Sequence, residues 1–525
     1  MKSNMFSGNL MWFLFLSGLL MTSACKKEHH VPKPVNRGGD SGTVARSSDE
    51  DSLKFYTWYY MESDSQNIPQ YYWYSQVPSI NPFSDQYANA DSLLETMKRY
   101  TSENSVKPVD RYSFLDRTGA VSGEIEQGQL GDKGLDIRWA GNLNNDSTYL
   151  YVVWTYRDGP AGEAGVQRGW QIIGVNGDSH VMYDGPGYGD GSGADANNVI
   201  NAVFTADQAT FKFRRPDGSD TVIALANAQY NFNPVLADSV YTVNGAKVGY
   251  VVFNSFVSVY NYDKNDNQVA TPAKAQIDQV FDKFQSAGIK DLIVDLRYNG
   301  GGAVNTAEYL DNLIAPSGET GKTMYTYAFN KPMESYYTSN SIGLSVPFQK
   351  QGNLALDHVF FIVSDGTVSA SELTINNLKP VMDVKLIGST TFGKPVGFIP
   401  QSISVVDDTT HAEKHMADLY AINFETKNQS GVGGYFKGLT PDKWNSDFVD
   451  LNWGDRRDSC LLEALSYVQT GNWVRSAHAR LAESRRPIAR RQMNRKIVAR
   501  QFTGMVETRL RLHLGNPAMS PLRNK

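Results

Sequence analysis

Residues 271–302 read "TPAKAQIDQVFDKFQSAGIKDLIVDLRYNGGG", and this stretch decides the fold class. Thr271 and Pro272 stand where an N-cap and a first helical residue belong. Ile277, Val280, Phe281 and Phe284 share one face at helical spacing, and Gly288 can end the helix. "KDLIVD" then reads as a short buried strand. It runs directly into a run of glycines. Helix, buried strand and glycine loop in succession predict a sheet with covering helices, with the loop at a strand end, where such folds place chemistry.

The pattern continues outward. "AKVGYVVFNSF" (246–256) precedes it as a strand and "VNTAEYLDNLIA" (304–315) follows as a helix. "HVFFIV", "LTINNLKPVM" and "VKLIG" repeat strand, helix, strand, so residues 240–470 are expected to form one α/β domain. Between 125 and 230 the chain changes to short strands with turns. "KGLDIRW" (133–139) and "YLYVVWTY" (149–156) are strand-like, and "ATFKFRRPDG" with "DTVIALA" closes as a hairpin. The Gly-rich loop 184–195 follows no strand and lacks a phosphate-binding Lys, and Asp184, Asp190 and Asp195 lack EF-hand spacing. It reads as a surface loop, with Asp195 as N-cap of the helix "ANNVINAVF".

Residues 51–118 carry an aromatic cluster, Trp58, Tyr59, Tyr72, Trp73 and Tyr74, read as the core of a small helical domain rather than as a sugar-stacking platform. Residues 92–104 are expected to be its closing helix. The whole is a multidomain α+β chain. A net charge of −5 over 525 residues gives no case for nucleic-acid binding. The segment 471–525 is strongly basic; it reads either as a helix touching anionic lipid or the acidic body, or as a solvated end. The composition leaves a homo-oligomer open.

At the other end, Lys2 and the apolar run "LMWFLFLSGLLM" (10–21) precede "TSAC" (22–25). The run is too short for an ordinary membrane-spanning helix. It resembles the signal of bacterial lipoproteins, which implies lipid attachment at Cys25, signal residues 1–25, a tether over 26–50 and an outer-membrane location in a Gram-negative-type cell envelope. Cys460 is then left alone, which excludes a disulfide scaffold.

Three motifs carry candidate chemistry. "SDGTVSASEL" (364–373) contains Ser369 and Glu372 in the S-x-x-E spacing of a capping box, "NGGG" (299–302) can bring bare backbone N–H groups close to a carbonyl, and "TFGKPVG" (391–397) holds Lys394. "HAEKH" (411–415), beside Asp407 and Asp408, lacks the Glu that a zinc-protease helix requires and reads as a loop. No metal and no cofactor are expected.

This set resembles the C-terminal processing, or tail-specific, serine proteases, Ser/Lys enzymes with a PDZ domain and a ClpP/crotonase-like α/β core. "DLRYNGGG" (295–302) matches the family's "DLRxNPGG" with Gly300 in place of Pro; "DRYSFL" (110–115) and "GLTPD" (438–442) match as well. "GPAGEAGVQRGWQIIGVNG" (159–177) resembles the PDZ segment of bacterial proteases. The resemblance implies Ser369 as nucleophile, Lys394 as its base, and an oxyanion hole from Gly301, Gly302 and Ala370. It also implies a carboxylate-capping peptide loop at Gly134, Leu135, Asp136 and Ile137. Several members carry Gln four residues after the Lys; here Phe398 stands there and Gln401 is out of register. The expectation is therefore a dyad, with Glu372 and Gln401 as accessory residues.

A free Lys, with a pKa near 10.4, is neutral in only about one molecule in a thousand at pH 7.4. Making it a base at that pH disfavours the charged form by about 4 kcal/mol, which desolvation can supply. Phe392, Val396 and Phe398 are the expected apolar walls. Protein or peptide substrates follow. The alternative is a non-catalytic peptide-binding lipoprotein on the same fold.

Overall fold

The structure, a computed structural model, describes residues 49–62, 68–103, 106–141, 148–185, 190–263, 265, 267–406, 410, 412–474 and 502–510. The signal, Cys25 and nearly all of the expected tether lie outside these residues, as do Asp407, Asp408, His411 and most of the basic tail.

Asp291–Asp295 is a strand buried along its whole length. It lies inside a six-stranded sheet ordered Lys443–Trp444, Asp383–Gly388, His358–Val363, Asp291–Asp295, Ala246–Phe253, Val235–Val243. All neighbours pair in parallel except the last, an antiparallel edge. Successive side chains alternate faces. Leu292 and Val294 cluster with Ile277, Phe281 and Phe284 of the Pro272–Ala287 helix, while Ile293 clusters with Leu461 and Leu465 of the Ser459–Thr470 helix. Cover on both faces explains why "LIV" shows no polar alternation. Each such fully buried side chain contributes about 1.5–3 kcal/mol. Thr271 and Pro272 open the helix and left-handed Gly288 (φ +66°) closes it. The Thr271 hydroxyl does not cap, because it donates to the Ser258 carbonyl at 2.5 Å.

A second six-stranded sheet is ordered Gly301–Ala303, Gly504–Val506, Val396–Phe398, Ile422–Asn428, Thr323–Phe329, Ser345–Pro347. Its second strand comes from the end of the tail, whereas the basic helix read from 475 onward falls almost wholly outside the described residues. Residues 502–510 are neither a lipid-binding helix nor a solvated end; Met505, Val506 and Leu510 are buried in the core. The basic composition around them concealed "GMV", a run too short to register as a strand.

Residues 135–226 form an antiparallel five-stranded sheet, Leu135–Gly141, Thr148–Thr155, Gln171–Val175, Gln208–Arg214 and Asp220–Ala226, in that order. The helix after the Gly-rich loop begins at Ala194, so Asp195 is not its N-cap. Asp184 replaces it: its carboxylate accepts from the N–H groups of Asp195 and Ala196, both at 3.0 Å. A cap donated from ten residues upstream leaves no local spacing signal.

In the N-terminal part, the helices Asp49–Glu62 and Ala90–Lys98 pack with Tyr59 and Trp73 in their core. The second helix starts two residues before the expected 92 and stops at Lys98, not 104. Asn89 Oδ1 accepts from Ser92 N at 2.8 Å, which fixes the start. Thr101 Oγ1 donates to the Lys98 carbonyl and accepts from the N–H groups of Val109 and Asp110, which turns the chain out of the helix. "HAEKH" also differs from expectation: Lys414 and His415 lie on the Glu413–Tyr420 strand, not in a loop. His415 Nε2 is 3.1 Å from Asp418. Among the described residues no cluster of His, Cys, Asp and Glu is arranged to hold a metal, and no helix is long and apolar enough to cross a membrane.

Candidate active site

The stretch 364–373 offers three serines, and their surroundings separate them. Ser364 donates its hydroxyl to the Arg297 carbonyl, and Ser371 donates to the Asn299 carbonyl at 3.0 Å. Both tie this loop to the end of the Asp291–Asp295 strand. Ser369 is completely buried, and its Oγ has no hydrogen-bond partner among the described residues. Its backbone is strained, with φ +59° and ψ −105° at the N-terminal edge of the Ala370–Leu378 helix. A non-glycine residue there costs about 1–3 kcal/mol, and such strain persists where surrounding contacts over-determine it.

Those contacts centre on Glu372. Its carboxylate accepts from Ser369 N (2.9 Å), Thr391 Oγ1 (2.5 Å), Gly393 N (2.7 Å) and Lys394 N (2.9 Å). The glutamate half of the expected capping box is thus made, with Ser369 N as its donor. Burial raises the Glu372 carboxyl while its four donors pull the other way. One side chain thus holds the Ser369 turn and the Lys394 loop in fixed relation. The "GLTPD" motif braces the same loop, since Thr391 Oγ1 accepts from Leu439 N at 2.7 Å.

Lys394 is 1% exposed and forms no ion pair among the described residues. Its Nζ lies 4.0 Å from the Phe398 ring centre and 4.9 Å from that of Tyr112, and donates to the Thr503 carbonyl at 2.8 Å. Burial holds its pKa well below 10.5; the fields of Asp110 and Glu372 oppose this only in part. Of the three expected walls, Phe398 meets the amine directly. Phe392 instead lies under Arg111. The other wall is Tyr112 of "DRYSFL", whose hydroxyl donates to the Gly393 carbonyl at 2.8 Å. Gln401 is buried, has no partner for either side-chain polar atom among the described residues, and makes no hydrogen bond to Lys394.

The glycine loop faces Ser369. Gly301 and Gly302 have φ of +105° and +136°, which side-chain-bearing residues rarely adopt. The N–H of Gly301 is committed to Asn299 Oδ1 at 2.9 Å, so of the expected oxyanion donors Gly302 and Ala370 remain. Gly301 contributes space: a Cβ there would lie 3.0 Å from Ala370 N and 2.9 Å from the Val368 carbonyl oxygen. Ala370, the first residue of its helix, has an N–H without an intrahelical acceptor. Asn299 opens the "NGGG" motif, and its place in the sequence marks no role for it. Its carbonyl accepts from Val368 N at 3.0 Å and its amide donates to the Phe253 carbonyl at 2.8 Å, which joins the glycine loop to the Ser369 turn.

Gly134, Leu135, Asp136 and Ile137 make no hydrogen bond to Ser369 or Lys394 among the described residues. Gly134 (φ +72°) leads into Leu135–Gly141, an edge strand of its sheet. Leu135 and Ile137 are buried, and burial pushes the Asp136 carboxyl up to about 7.

Comparison with known proteins bears on the same residues. The carboxyl-terminal-processing protease of Synechocystis sp. is 23% identical over 281 residues, 51% of this chain and 53% of that protein. The carboxy-terminal processing protease CtpA of Bacillus subtilis is 28% identical over 182 residues, 35% of each chain. The chain thus spans about half the length, or less, of these relatives. A crystal structure from Bacteroides fragilis assigned as an S41 protease superposes with a TM-score of 0.56 at 21% identity, over 77% of this chain and 95% of that one, which shows a shared fold. The segment that carries the glycine loop, Ser369 and Lys394, residues 247–442, matches the model of Peptidase family S41.

Proposed function

We propose that this chain is a serine endopeptidase in which Ser369 attacks the peptide carbonyl and Lys394 accepts its proton. One observation carries the reading: a fully buried lysine without a carboxylate partner sits on the loop that Glu372 ties to an unpartnered, strained serine. A structural lysine in such a place would be paired. A neutral amine needs no counter-ion and is the form a general base requires. Gly302 and Ala370 N–H groups serve the oxyanion, and Lys394 returns the proton to the leaving amine. Ser369→Ala and Lys394→Ala should each lower hydrolysis of a fluorescent protein substrate at least a thousandfold with an unchanged circular dichroism spectrum. Normal turnover by either variant removes the assignment.

The 125–230 module is read as PDZ-like because its Gly134–Ile137 segment opens an edge strand able to take up a peptide by strand addition. Peptides with a free apolar C-terminus should bind better than their amides; equal affinities argue against carboxylate capture. Attachment to the outer membrane through Cys25 rests on "TSAC" after the apolar run. Metabolic lipid labelling that persists in Cys25→Ala would end that reading.

A further inference from the structure

We propose that residues 502–507 are a pseudosubstrate strand: the chain's own tail occupies the track a substrate peptide takes and holds the site shut. The blocking role rests on the peptidase reading above; the occupancy does not. The strand Gly504–Val506 lies between Gly301–Ala303, which carries the glycine loop, and Val396–Phe398, which follows Lys394. It pairs in parallel with the first, Gly504 opposite Gly301, and Gly504 N donates to the Gly300 carbonyl at 3.0 Å. In a parallel ladder of that register the Gly504 carbonyl turns toward the N–H of Gly302. A Cβ on Gly301 would sit 2.4 Å from the Gly504 oxygen and 3.0 Å from Ala370 N. The Gly504 carbonyl therefore lies beside both groups assigned to the oxyanion.

The neighbouring carbonyl, Thr503, takes the Lys394 amine at 2.8 Å, while the Ser369 hydroxyl has no partner among the described residues. The peptide lying over the base diverts it from the nucleophile. Side chains fasten the segment on both sides. Phe502 packs its ring about Phe114, Phe398 and Tyr420, each at 6.2 Å, and its N–H donates to Glu124. Met505 is 0% exposed, and buried Glu507 accepts from the Tyr327 hydroxyl. Gly504 is required at its position, since a Cβ there would lie 2.7 Å from the Phe398 ring. Two surface cavities, of about 120 and 280 Å³, are lined by residues between Asp278 and Leu356 and not by Ser369 or Lys394.

The test uses the full chain with Met505→Asp, which places a charge in the buried strand, and Gly504→Val as a second way to expel it should the first not fold. A fluorescein-labelled peptide, RQFTGMVETRL (residues 500–510), is titrated by anisotropy against Ser369→Ala and against Ser369→Ala carrying either tail substitution. The tail variants should bind it at least tenfold more tightly, because their track is empty. With Ser369 intact, they should hydrolyse casein at least tenfold faster than wild type, and the unlabelled peptide should inhibit them competitively. Equal peptide binding with and without the tail substitution overturns the assignment. A binding difference without hydrolysis by any form keeps the occupancy and removes the peptidase reading and the blocking role that rests on it.

Discussion

Lys394 is the residue on which the account turns, and its environment has a consequence beyond catalysis. Burial depresses its pKa in the folded chain, whereas the unfolded chain regains the ordinary value near 10.5. Between those two values the unfolded state binds one more proton, so this residue's contribution to stability rises with pH across that window. Lys394→Met removes the dependence. In urea unfolding, Lys394→Met should exceed wild type in stability by the largest margin near the depressed pKa, with the margin closing as the pH approaches 10.5. A margin that stays constant from pH 7 to 10 contradicts a neutral lysine. The sequence pointed to Ser369 and Lys394 through their motifs. It did not show Tyr112, Asn299 or Thr503 in their roles, because each is brought in by tertiary contact. Thr503 lies 109 residues from the lysine it binds.

At the scale of elements, the site is a strand end, a helix start and a loop held in register. The Pro272–Ala287 helix and the Asp291–Asp295 strand were legible because burial imposes a period on the helix and an unbroken apolar run on the strand. The glycine loop was legible as a loop, but not the division of labour within it. Gly301 keeps its N–H for Asn299 and yields room, which leaves Gly302 as the donor proposed for the oxyanion. Gly301→Ala should therefore be as damaging as loss of a donor: its Cβ would sit 2.9 Å from the Val368 carbonyl oxygen, at a φ of +105°. We expect a loss of at least a hundredfold in kcat/KM, with the unfolding midpoint lowered by the strain. Activity within threefold of wild type would show that the close approach of this loop to Ala370 is not needed. The missed cap at Asp184 has the same cause as the missed tail strand: both features depend on partners supplied by the fold, and local patterns carry no mark of them.

Across the molecule, an ionic cluster joins the 125–230 segment to the α/β sheet that carries Asp291–Asp295. Arg168 Nη2 and Arg297 Nη1 both lie 2.9 Å from Asp447 Oδ1, and Arg138 lies 3.4 Å from Oδ2. Arg297 also meets Asp295 at 2.7 Å and Asp458 at 2.8 Å, directly behind the glycine loop. The surrounding arginines hold the Asp447 carboxyl well below the usual carboxylate range. Removing this charge leaves the buried Arg168 guanidinium without a carboxylate, a loss of about 3–5 kcal/mol. Asp447→Asn should lower the urea midpoint accordingly; a change below about 0.5 kcal/mol, the ordinary range for a surface substitution, contradicts a coupled interface. Arg297 and Tyr298 stood in the quoted "DLRYN" motif without a role, since nothing local to them indicates a partner 150 residues away.

A neutral Lys394 is proposed as the base for Ser369. The most direct test is the pH profile of kcat/KM for peptide hydrolysis between pH 5 and 10, measured on wild type, Lys394→Arg and His415→Ala. Wild type should lose activity as the pH falls through the depressed lysine pKa, tenfold per pH unit on the acid side, because protonation removes the base. His415→Ala should follow the same curve, and Lys394→Arg should be inactive throughout, since a guanidinium stays protonated. A Lys394→Arg enzyme within tenfold of wild type, or an acid limb that moves in His415→Ala, would contradict the claim.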